Sequence, residues 1–164
     1  HYLGREYMYY GKWEESIATL KRHLNMKNAT WSDERCASMR FIARDYKNLG
    51  DIISARVWLE AAIKEAPHLR DPLVELALLY YEQENWQNVI HYCETAQKIP
   101  INGKTYINEV FSFDETIDDI LSLAYYNIGD IPKAIEHAKK ALEINPENLR
   151  IKNNLKIMQE KSHY

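Results

Sequence analysis

The stretch that decides the fold is "YKNLGDIISARVWLEAAIKEAP", Tyr46 to Pro67, because it returns in altered form further along the chain. "YYEQENWQNVIHYCETAQKIP" runs from Tyr80 to Pro100, and "YYNIGDIPKAIEHAKKALEINP" from Tyr125 to Pro146. Each copy has a Tyr, a short polar turn, then a run with apolar residues at helical spacing that closes near a Pro. An earlier copy, "YMYYGKWEESIATLKRHL", starts at Tyr7. The reference tyrosines Tyr7, Tyr46, Tyr80 and Tyr125 stand 39, 34 and 45 residues apart, so a 34-residue unit is interrupted by insertions of 5 and 11. A unit of that length is one pair of helices that buries its apolar face only by stacking on its neighbours.

Small residues recur where paired helices must approach closely. They are Gly4, Ala43, Ala77 and Ser122 on the first helices, and Ala55, Ala62, Ala96, Ala134 and Ala141 on the second. Gly50 and Gly129 suit the left-handed residue after a first helix, and Asp51, Asn85 and Asp130 follow as N-caps. The copies resemble the tetratricopeptide family, whose pattern is met by Met39, Ile42-Ala43, Tyr46, Ala55, Leu59 and Pro67 in the second copy. The fourth meets it with Leu121-Ser122, Tyr125, Ala134, Ala138, Ala141 and Pro146. The third departs with Val89 for the small residue and Pro100 one place early, and the fourth has Asp118 where a large apolar residue is usual. The resemblance implies an all-α superhelical solenoid of four helix pairs, at about 1–27, 33–67, 70–100 and 114–146, with an insertion at 101–113 and a capping helix at 147–161.

Two insertions stand outside the pattern. The first includes Trp31, with Thr30 or Ser32 as the cap of the next helix. The second, "IPINGKTYINEVFSFDE", has an Asn102-Gly103 turn dipeptide and apolar Tyr106, Ile107, Val110, Phe111 and Phe113, so it should fold back as a short hairpin or irregular cap. In the terminal helix the apolar residues are Leu149, Ile151, Leu155 and Met158.

Composition bounds the function. The charge of −3 comes from 21 Lys and Arg against 24 Asp and Glu, which offers no basic field for nucleic acid. Residues 1–50 hold nine basic and six acidic groups, while 51–164 hold twelve and eighteen, so the N-terminal part is the more basic. No apolar run approaches the roughly 20 residues of a membrane span. The two cysteines, Cys36 and Cys93, lack metal-ligand or disulfide-scaffold spacing and fit a reducing, cytoplasmic setting. A chain that starts at His1 inside a helix reads as a piece of a longer one.

No catalytic constellation emerges. The densest acids, Asp114, Glu115, Asp118 and Asp119, open a helix and complement its dipole; a metal-dependent site there is the enzyme-class rival, and it lacks a base and a nucleophile. The six histidines form no closely spaced pair, and with 5 Gly the chain has no phosphate-cradling loop. No metal site and no cofactor are expected, and the segment is not expected to be an enzyme.

What remains is a surface. By the family's geometry the first helices line a concave groove, and the residues past their buried stripe are Arg5, Met8, Arg40, Arg44, Lys47, Val74, Leu78, Tyr81, Asp119, Leu123, Tyr126 and Asn127. Of these, Arg5, Arg40, Arg44, Lys47, Tyr81, Tyr126 and Asn127 are the expected ligand-binding groups for a protein or extended peptide. Ion pairing of the arginines across the repeat is the alternative. Family members that grip chaperone C-termini use a carboxylate clamp, whose places here hold acids and apolar residues such as Glu75 and Ile120. The order of "HYLGREYMYYGKWEESI", "TWSDERCASMRFIARDYKNLGD" and the later copies also resembles the helical-repeat tail of bacterial family 2 glycosyltransferases. That resemblance implies a non-catalytic module, behind an upstream catalytic domain, that holds a glycosylation acceptor or forms a homodimer. The rival reading is self-association through the aromatic insertion, with no separate ligand.

Overall fold

The computed structural model describes residues 1–101, 105 and 107–163. Its helices are α1 (Tyr2–Tyr9), α2 (Trp13–Leu24), α3 (Ser32–Asn48), α4 (Ile52–Glu65), α5 (Asp71–Glu82), α6 (Trp86–Gln97), α7 (Thr116–Asn127), α8 (Ile131–Ile144) and α9 (Leu149–Lys161). A 3-10 turn at Val110–Ser112 precedes α7, and the described residues include no strand. The fold is thus all-α, with four helix pairs and a terminal helix as the repeat pattern requires. Two compact units divide the chain, His1–Leu76 and Ala77–Tyr164, and their boundary falls inside α5.

Within each pair, the close approach is set three residues before and nine residues after the reference Tyr. Gly4 faces Ser16 in the first copy and Ser122 faces Ala134 in the fourth, all four buried. The hydroxyl changes sides but does the same job: Ser16 Oγ donates to Gly4 O at 2.8 Å, and Ser122 Oγ to Ala134 O at 2.7 Å. A Cβ on Gly4 would sit 2.5 Å from Leu20 Cγ, so α1 seats on α2 only with glycine there. In the first unit Cys36, Met39, Ala62 and Ala66 form a buried cluster against Leu24, Trp58 and Leu69.

The turns between paired helices use left-handed residues: Gly11, Gly50 and Gly129 have φ of +72°, +84° and +87°. The third copy puts Glu84 there, at +56°. The expected caps form, with Asp51 accepting from Ser54 N at 3.0 Å, Asn85 from Asn88 N at 3.3 Å and Asp130 from Lys133 N at 3.2 Å.

Two expectations need correction, and a third is narrowed. Neither Thr30 nor Ser32 caps α3: Trp31 occupies the cap position without a side-chain bond, and Ser32 is already inside the helix. The described part of the second insertion is the irregular alternative: a 3-10 turn held by i→i+3 bonds such as Phe113 N to Val110 O at 2.9 Å, with Ile107 and Ser112 buried and Val110 exposed. Its Asn102-Gly103 turn and Tyr106 lie outside the described residues. On α9 the buried stripe is Ile151 and Met158; Leu149 is exposed because it stands at the first helical position, before the stripe begins.

Candidate functional site

Within the first unit the expected basic residues are largely engaged. Arg40 on α3 is 2% exposed and donates through Nη1 to Glu75 Oε1 at 2.5 Å. Arg44, one turn on, forks onto the same carboxylate, Nε to Oε2 at 3.2 Å and Nη2 to Oε1 at 2.5 Å. Both guanidinium groups also lie over the Phe41 ring, at 5.4 and 5.1 Å. Arg5 on α1 lies over Tyr2 and Tyr9, and Lys47 is exposed at the end of α3. Met8 and Val74 are not groove residues: both are buried, since their positions fall on the apolar stripe. At the other end of α3, Ser38 Oγ meets His23 Nδ1 at 2.9 Å, and His23 Nε2 meets Glu34 at 3.0 Å.

The second unit brings together groups that the sequence separates widely. On α9, Arg150 grips Asp119 of α7 through two parallel bonds, Nη1 to Oδ1 at 3.1 Å and Nη2 to Oδ2 at 2.5 Å. The hydrogen bond that Arg150 donates to Asp119 is the main reason that its guanidinium is held even more firmly protonated than usual, and Tyr81 and Glu115 add to it. Lys161, three turns further along α9, sets its ammonium 4.8 Å from the Tyr126 ring centre. Tyr81 stands edge-on to Trp86 at 5.4 Å, and Asn127 donates to Leu123 O at 2.7 Å. Tyr81, Leu123 and Tyr126 are half-buried, so each keeps exposed surface.

Behind this face lies a buried polar layer. His137 Nδ1 and Gln97 Nε2 both reach Asp118 Oδ1, at 2.8 and 3.0 Å. Burial pushes the Asp118 carboxyl up, but these two hydrogen bonds, together with the charges of His137 and Lys140, outweigh it and hold the group below the usual range. The Tyr125 ring stacks on His137 at 5.5 Å and its hydroxyl donates to Glu94. Burial first, and Glu94 second, push that phenol well above its ordinary value.

The acids at the start of α7 therefore have separate partners: Asp114 accepts from Thr116 N at 2.9 Å, Glu115 from Asn145 at 3.0 Å, Asp118 from His137 and Asp119 from Arg150. Among the described residues no group of three His, Cys, Asp or Glu could hold a metal. Both cysteines are free and buried; burial pushes the Cys36 thiol up to about 12 and Cys93 higher still. No helix among the described residues is long and apolar enough to cross a membrane.

Sequence reasoning missed Arg150 and Lys161. The signal was present in their spacing: residues 150, 154, 157 and 161 share one face of α9, distinct from the Ile151 and Met158 stripe.

Several solved structures share the fold. MamA 41-end from Desulfovibrio magneticus RS-1 is 17% identical, with a TM-score of 0.73 over 98% of this chain and 82% of that one. A crystal structure of MamA is 18% identical, with a TM-score of 0.74 over 98% and 84%. The N-terminal domain of stress-induced protein-1 from C. elegans is 14% identical, with a TM-score of 0.66 over 79% and 98%. At these identities the likeness is one of fold. No curated protein sequence matches the chain. A family model does match, described as the prolyl 4-hydroxylase peptide-substrate-binding domain, over residues 70–161. That stretch is more than half of the 164 residues and carries the Arg150–Asp119 fork, so the chain belongs to the family of prolyl 4-hydroxylase peptide-substrate-binding domains.

Proposed function

We propose that this chain is a non-catalytic recognition module that holds an extended polypeptide, the substrate or acceptor of a modifying enzyme, against the α7 and α9 face of its second unit. The observation that carries the reading is the Arg150–Asp119 fork, with Tyr81 near it and Tyr126 two turns further along α7 against Lys161. An arginine fixed by a carboxylate presents its remaining N–H groups to peptide carbonyls, while half-exposed tyrosine faces give flat contact at low entropic cost. A proline-containing segment suits such a surface, because its extended helix is already ordered and packs on aromatic side chains. Within the second unit Asn127 extends the proposed contacts; in the first unit Arg5, Arg44 and Lys47 are separate candidate contacts, with Arg40 supporting Arg44 through their shared Glu75.

The family's description names prolyl 4-hydroxylase as the enzyme served. The sequence resemblance to family 2 glycosyltransferase tails offers a second setting, in which a glycosylation acceptor takes the same place. In either setting this segment supplies binding and orientation and the reaction happens on another domain. Two buried, unreactive thiols fit a reducing cytoplasm.

Calorimetric titration with a nine-residue Pro-Pro-Gly peptide, against a Gly-Ser peptide of equal length, tests the reading. Arg150→Lys and Tyr126→Ala should each weaken Pro-peptide binding about tenfold with helicity unchanged, since lysine cannot fork. Equal affinity for the two peptides, or indifference to both substitutions, contradicts it.

Self-association is the second reading, favoured by exposed Tyr2, Leu3 and Tyr9 on α1, by Tyr10 just after it, and by Val110 at 75% exposure. Light scattering over a concentration series should then show a dimer weakened by Phe111→Ser; a monomer throughout removes it.

A further inference from the structure

Asp45 lies on α3 with no exposed surface, and neither of its carboxyl oxygens has a hydrogen-bond donor. The hydroxyl facing it from α2 is Ser16, but that group's single hydrogen goes to Gly4 O on α1 at 2.8 Å. Among the described residues, the charge that bears on it is Arg44 of its own helix, and Arg44 is already forked onto Glu75. No acid or base of α1, α2, α4 or α5 among those residues is close enough to count. The place just before the reference Tyr holds Leu79 and Ala124 in the third and fourth copies, both buried and apolar. The first copy has Glu6 there, but exposed; Asp45 is thus a carboxyl buried where the third and fourth copies put hydrocarbon, in the layer that joins α1 and α2 to α3.

We infer that Asp45 makes the seat of the α1–α2 pair on α3 a pH-sensitive seam, firm while the carboxyl is protonated and loosened once it ionises. An ionised carboxylate with no donor is costly inside a protein, and here the cost falls on the helix pair whose removal would let water reach it.

The direction follows from burial, which raises this carboxyl from 3.8 to about 6. A raised acid binds its proton more tightly in the folded state, so its contribution is greatest below about pH 4, declines between pH 4 and 6, and is gone above that. His23 on α2 works the other way. Burial first, and the N-terminal charge second, lower its imidazole from 6.5, so folding gains from His23 as pH rises; the N-terminal amine is lowered by burial too. Only a comparison that removes Asp45 alone separates these effects.

Amide hydrogen exchange of α1 and α2 in the whole chain, corrected for intrinsic rates, makes that comparison between pH 4 and 7. Relative to Asp45→Asn, the unsubstituted chain should open this pair on the order of 100-fold more readily at pH 7 than at pH 4. The same pH dependence in both proteins overturns the inference. A carbon-13 titration of the Asp45 carboxyl in the unsubstituted chain is the independent check: a midpoint near 6 supports the seam, and one near 4 overturns it.

Discussion

Glu75 accepts two guanidinium groups at once, and that choice of partner decides what Arg40 and Arg44 can do. Both arginines were expected past the buried stripe of α3; Arg40 is in fact buried. Their partner was not legible, because it lies 35 and 31 residues away and only the packed fold brings it near. Arg40 is thus an unsuitable probe of binding. Glu75→Gln should cost about 3 kcal/mol in a denaturant titration, since it removes a carboxylate shared by two guanidinium groups, one of them buried; a loss below about 1 kcal/mol would mean that this shared carboxylate adds little to the packing of α3. The Asp118 carboxyl gives a second residue-scale expectation. Held below its ordinary value of 3.8, it contributes stability that is present above that pH and is lost as pH falls through its lower folded value. Asp118→Asn should therefore reduce the melting temperature at pH 6, by an amount that shrinks as pH falls below 3.8.

At the scale of elements, repeat punctuation was the most readable feature, because glycine after the first helix and an Asx cap before the second each answer a local backbone need. The third copy shows what happens when that need is met by the wrong residue. Glu84 adopts a φ of +56° in which its Cβ crowds the following carbonyl. Glu84→Gly should stabilise the chain by about 0.5 kcal/mol, the relief of strain exceeding the greater freedom of unfolded glycine. Thermal melting checks it, and a fall in stability would show that the Glu84 side chain makes a contact worth more than the strain. The terminal helix was readable as a cap from its apolar stripe. Its other face, with Arg150 and Lys161, was not, because a basic stripe on a terminal helix has the same sequence signature whether it meets solvent or the residues of α7.

At the scale of the molecule, the repeat period carried the fold and little of the function, since every copy repeats the packing positions and none repeats the site. The tyrosines divide accordingly: Tyr125 belongs to the buried polar layer, while Tyr81 and Tyr126 reach the face that Arg150 and Asp119 complete. A recognition module of this kind holds an extended polypeptide there. The most direct test is amide chemical-shift mapping of the isotope-labelled chain during titration with the Pro-Pro-Gly peptide. Shifts concentrated on the end of α5, on α7 around Asp119 to Tyr126, and on α9 around Arg150 to Lys161, and absent with Arg150→Lys at equal peptide concentration, are the expected result. Shifts confined to other helices, or spread evenly and unchanged by Arg150→Lys, would contradict it.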